Sequence, residues 1–128
     1  MSYHFSKTLD VPFDMAIAKA TEALKREGFG VLTEIDVQST LKQKLGVDFR
    51  KYRILGACNP GLAHRALQAE DKIGTMLPCN VIVQEHADGK VEVSAIDPIA
   101  SMQAVANPGL ATVATEVQGK LRRVIEGL

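Results

Sequence analysis

The chain has 128 residues, 15 Lys plus Arg against 15 Asp plus Glu, and 46% hydrophobic residues. That length and apolar share suit one folded domain over residues 1–128 with one core, and they exclude a disordered chain. A net charge of zero without a basic stripe, and 5% aromatics with no Trp, argue against nucleic-acid binding through phosphates or stacked bases.

Tyr3, Phe5, Lys7 and Leu9 alternate with polar residues, the period of a first strand. Pro12 and Asp14 then suit the first turn of a helix, and Phe13, Ala16, Ile17, Ala20 and Leu24 form its apolar stripe. Gly28 sits where a left-handed residue ends such a helix. Phe29, Val31, Thr33 and Ile35 alternate with Gly30, Leu32 and Glu34 as a second strand. Asp36 caps a short helix with Leu41 and Leu45 on one face and Gly46 at its end.

A third strand runs from Tyr52 to Cys58. Asn59-Pro60 is a helix start, with Asn as the cap and Pro in the first turn. Leu62, Ala63, Ala66 and Leu67 are that helix's buried stripe, and the segment from Ile73 to Pro78 is irregular. Val81–His86 and Lys90–Ile96 are strands joined by Ala87-Asp88-Gly89, a three-residue hairpin loop with Gly in the left-handed position. Asp97-Pro98 ends the second of these. Asn107-Pro108 opens a long last helix bearing Leu110, Val113, Ala114, Val117, Leu121 and Val124. The pentapeptide Asn-Pro-Gly-Leu-Ala occurs at 59–63 and again at 107–111, which reads as one helix-start device used twice.

Without the two short internal helices the order is β-α-β-β-β-β-α. Strands joined without long crossovers pair antiparallel. The fold class expected is α+β: one curved antiparallel sheet, the first and last helices on one face, the other face free for a partner subunit. The hairpin register places Val83 opposite Val93, Val81 opposite Ala95 and Cys79 opposite Asp97, which gathers the valines on one side.

That register locates a candidate site. Cys58 ends the third strand and Cys79 begins the fourth, each followed by Asn. If the two strands are antiparallel, Cys58, Asn59, Cys79, Asn80 and Asp97 converge beside the helix that starts at Pro60; if they are parallel, the cysteines separate by a strand length. A helix N-terminus favours a thiolate or a small anion. Each cysteine alone is as easily a small buried hydrophobe, and Asn59 is explained by capping. His64, six residues after Cys58, could reach a bound species or simply lie exposed on its helix. A structural zinc site is disfavoured and no metal ligands are assigned, since the cysteine spacing and the three isolated histidines do not form a zinc pattern. No nucleotide-binding fingerprint is present, so the cofactor is unknown.

No signal-peptide pattern follows Met1, and no apolar run approaches the ~20 residues of a membrane span. A cytoplasmic domain with reduced thiols and no membrane partner is expected.

Three segments carry a family resemblance: Gly28-Phe29-Gly30-Val31-Leu32-Thr33-Glu34-Ile35-Asp36, Leu55-Gly56-Ala57-Cys58-Asn59-Pro60 and Leu77-Pro78-Cys79-Asn80-Val81. With the Asp88-Gly89 hairpin and Asp97-Pro98, they resemble the family called domain of unknown function 302 over essentially the whole chain. The resemblance implies a TATA-binding-protein-like β-α-β(4)-α arrangement and homodimers, and it brings no established activity. The function expected is binding of a small molecule, anion or metal at a thiol-lined pocket. The alternatives are a thiol-dependent redox or sulfur-transfer enzyme and a structural homodimeric module.

Overall fold

The computed structural model describes residues 2–128. Val81, Val83, Val91 and Val93 are fully buried and form the centre of the sheet. Their β-branched side chains fit a pleated surface, and the period of two sends them all to one face. Five antiparallel strands surround them: β1 (His4–Leu9), β2 (Gly30–Asp36), β3 (Tyr52–Cys58), β4 (Cys79–Glu85) and β5 (Val91–Ile96), in the spatial order β1-β5-β4-β3-β2. The sheet is open, with β1 and β2 at its edges. Helices α1 (Phe13–Arg26) and α5 (Pro108–Glu126) cover the valine face, which gives the β-α-β(4)-α arrangement. Shorter helices are α2 (Val37–Leu45), α3 (Pro60–Ala69) and α4 (Pro98–Ser101), with a single 3-10 turn at Ile73–Met76.

The hairpin register is the expected one, Val83 against Val93 and Val81 against Ala95. Gly89 takes a φ of 84° in its loop. Strands β3 and β4 are antiparallel, with Ala57 opposite Cys79. The end of α1 is a Schellman motif: Gly28 has a φ of 85°, its N–H reaches the Lys25 carbonyl, and the Phe29 N–H reaches that of Leu24. Phe29 and Leu24, both buried, supply the apolar contact of that motif.

Three expectations change. Strand β2 does not alternate uniformly, because its register with β3 shifts between Val31 and Thr33. Val31 pairs with Ala57 on the helix side, whereas Thr33 pairs with Gly56 on the other face. The extra residue, Leu32, is 68% exposed. The stripe of α3 is only half buried: Leu62 and Ala66 are covered, Ala63 is partly covered, and Leu67 is exposed. Asp97-Pro98 does more than stop a strand. The Asp97 carboxylate accepts the Ile99 N–H at 3.0 Å and caps α4, the same Asx-Pro helix start seen at 59 and 107.

Candidate functional site

Antiparallel pairing of β3 and β4 brings Cys58 and Cys79 to the same end of the sheet. A cavity of about 330 Å³ lies there. Its floor is Ala57, Cys58, Pro78 and Cys79, one wall is Leu62, Ala63, Ala66 and Leu67 of α3, and the other is Leu110, Val113, Ala114 and Val117 of α5. Phe29, Pro98 and Met102 close it, and Leu32, Gly74 and Leu77 complete its rim. Apart from the two thiols and Asn59 the lining side chains are apolar, and no Lys or Arg lines it among the described residues.

The two copies of Asn-Pro-Gly-Leu-Ala hold the walls. Asn59 Oδ1 accepts the Leu62 N–H at 3.3 Å, and Asn59 Nδ2 donates to the Glu27 carbonyl at 3.4 Å. This ties the start of α3 to the end of α1. Asn107 Oδ1 accepts the Gly109 N–H at 3.0 Å, and its Nδ2 donates to the Ala69 carbonyl at 2.7 Å, tying the start of α5 to the end of α3. Each pentapeptide then points its Leu, Leu62 or Leu110, into the cavity wall.

The candidate residues part company here. Cys58, Asn59 and Cys79 line the cavity. Asn80 does not; it pairs with Gly56, one step along the pleat from Cys79, and is exposed on the opposite face. Asp97 does not either. Its carboxylate faces α4 and α5, where Gln118 Nε2 donates to both oxygens at 3.1 and 3.2 Å. His64 lies exposed on α3 away from the cavity. Register placed Asn80 and Asp97 nearby, and helix position placed His64; side-chain direction separates all three from the cavity.

The two thiols are unequal. Burial pushes the Cys79 thiol up from its ordinary 9.0 to about 11, with the neighbouring Cys58 adding to the shift, so Cys79 is protonated at neutral pH. Cys58 is partly exposed. Both are free thiols. Ala57 pairs with Cys79 and Cys58 follows it, so the two thiols lie near each other at the cavity end of the sheet. Among the described residues, no three His, Cys, Asp or Glu side chains gather closely enough to hold a metal ion.

The residues that sequence reasoning did not assign to a site are the apolar ones. Leu110, Val113, Ala114 and Val117 read as a core stripe, and a stripe facing a cavity has the same spacing as one facing a packed core. Pro98 reads in the sequence only as the end of a strand, and Met102 falls between that strand and the last helix, where no element is assigned.

The family model for Domain of unknown function DUF302 matches residues 5–128. The chain belongs to this family. A similar solved structure is the crystal structure of an uncharacterized conserved DUF302 protein from Bacillus stearothermophilus. It is 28% identical, covers 98% of each chain and has a TM-score of 0.91. No curated protein matches the chain. Membership in DUF302 and the shared open antiparallel sheet therefore agree over the length of the chain. No helix among the described residues is long and apolar enough to cross a membrane.

Proposed function

We propose that this DUF302 domain binds an uncharged, mainly apolar small molecule in the cavity between α3, α5 and the ends of β3 and β4. The observation that carries this reading is an apolar cavity of about 330 Å³ with thiols at its floor. Small-molecule sites have this form: concave, apolar, with few polar groups for orientation. The apolar lining disfavours an anion, which would sit there without a counter-charge. Exposed Leu32 and Leu67 at the rim, 68% and 43% accessible, extend the apolar surface to the mouth.

Nile red titration tests the reading. The wild type should bind the dye with a blue shift and enhanced fluorescence, and Ala66→Leu, which fills the cavity from α3, should weaken that binding at least tenfold. His64→Ala should leave it unchanged. No dye binding by a folded wild type, or equal binding by Ala66→Leu, would overturn it.

A two-thiol redox relay is the weaker reading, because burial raises the Cys79 pKa to about 11 and so disfavours the thiolate that such a relay needs. The cytoplasm suits the proposal, since its reducing conditions keep such thiols free. The partner proposed is a second copy of the chain. On the sheet face away from α1 and α5, Ile35, Ile54 and Ile82 are directly opposed across β2, β3 and β4. A two-fold axis lets such a row meet itself. Light scattering should give a dimer mass for the wild type and a monomer mass for Ile54→Lys; a monomeric wild type rejects the dimer.

A further inference from the structure

A second concavity, a groove of about 210 Å³, lies on the outer side of α4 and α5. Three residues, Met102, Leu110 and Ala114, line both this groove and the thiol-floored cavity. They are the partition between the two spaces. Leu110 and Ala114 belong to α5 and are 2% and 4% exposed, held by the longest helix of the protein. Met102 lies outside α5. It is the residue that ends α4, its N–H bonded to the Pro98 carbonyl and its own carbonyl accepting the Val105 N–H. Its side chain is 9% exposed.

We propose that Met102 is the stop that sets how long an apolar ligand this domain accepts, so that the ligand class is a linear hydrocarbon chain entering at the exposed rim of Leu32 and Leu67 and running over the thiol floor toward Met102. This rests on the binding reading above. A compact ligand would make contact with the sheet floor and α3 without reaching Met102. An extended one meets Met102 at the far end, with further, mostly apolar space beyond it, lined by Ile99, Val105 and Ala111 together with Gln103 and Thr115. An unbranched thioether suits a stop of this kind. It fills irregular space and adjusts to the ligand's end without moving the backbone.

The test is displacement of Nile red by straight-chain primary alcohols from hexanol to dodecanol. In the wild type, affinity should rise about fourfold with each added methylene that is buried, and then level off at the length where the chain meets Met102. Met102→Ala should move that plateau at least two carbons longer, and the milder Met102→Val should move it the same way if the alanine variant folds poorly. Adding Ala111→Phe to the truncated variant, which blocks the groove beyond the partition, should return the plateau to its original length. A folded Met102→Ala or Met102→Val with the wild-type plateau overturns the role of Met102 while leaving the cavity as a binding site. A wild type that binds neither dye nor alcohol overturns both.

Discussion

Beneath β4 and β5, Val81, Val83, Val91 and Val93 are each 0% exposed and meet Leu24 and Leu121, also 0% exposed. At the end of the same layer, residues of the same kind, Leu62, Ala66 and Leu110, enclose a cavity of about 330 Å³ instead. The helices explain the difference. Helix α1 buries Ala16, Ala20 and Ala23 beside Phe13 and Leu24 against the sheet, small side chains among large ones that let its backbone come close. Helix α3 leans chiefly on α5 and the 3-10 turn. Its two ends are tied by hydrogen bonds, Asn59 to Glu27 and Asn107 to Ala69, which hold it across the strand ends. Apolar composition therefore gives either a core or a pocket, depending on what positions the covering helix.

The comparison is broken most severely in the packed region. Leu121→Ala should lower unfolding free energy by about 3 kcal/mol in urea titrations, since a filled layer cannot collapse around the loss. A cost under about 1 kcal/mol would show that the layer is looser than its burial implies.

Cys79 tests the floor of the cavity. Its folded pKa of about 11 lies above its ordinary 9.0, so the unfolded chain ionises first as pH rises. The stability due to the buried neutral thiol is fully present below pH 9 and is lost as pH approaches 11. Over that window the wild type should lose about 2 kcal/mol more than Cys79→Ala, measured by parallel denaturation curves. Equal pH profiles would mean that the thiol is better solvated than the structure indicates. Alkylation at neutral pH should correspondingly be slow at Cys79 and faster at Cys58, as mass-mapped time courses would show.

Asn59→Ala should cost about 1 kcal/mol through loss of the α3 cap and its tie to Glu27. Because that tie positions a cavity wall, Nile red affinity should fall as well; in Leu121→Ala, whose side chain does not line the cavity although it lies one turn beyond Val117, it should hold wherever the protein remains folded. The smallest effect expected is Ala66→Leu. In a packed core the added carbons would cost about 1–3 kcal/mol. Here they enter the cavity, and the midpoint of unfolding should stay within about 0.5 kcal/mol of wild type while dye binding is lost.

Much of this was legible along the chain because it depends on local chemistry. The φ > 0 glycines at 28, 46 and 89, the Asn-Pro helix starts and the valine register are decided within a few residues, and all stand in the structure. The bulge at Leu32 was not legible. It arises from how β2 meets β3, and it sends Thr33 and Ile35 to the face opposite Val31.

The candidate site divides in the same way. Sequence alone placed Cys58 at the end of one strand and Cys79 at the start of the next, beside a helix start. It left the direction of that pairing open, because the 20 residues between them allow a return in either sense; the antiparallel pairing is a fact of the structure. Only the tertiary structure decided that Asn80 turns to the opposite face, that Asp97 serves α4 and Gln118, and that the stripes of α3 and α5 surround a cavity. Helical spacing tells which side chains turn inward. It carries no information on how far the opposing surface stands from them, and that distance is what separates a packed core from a binding site.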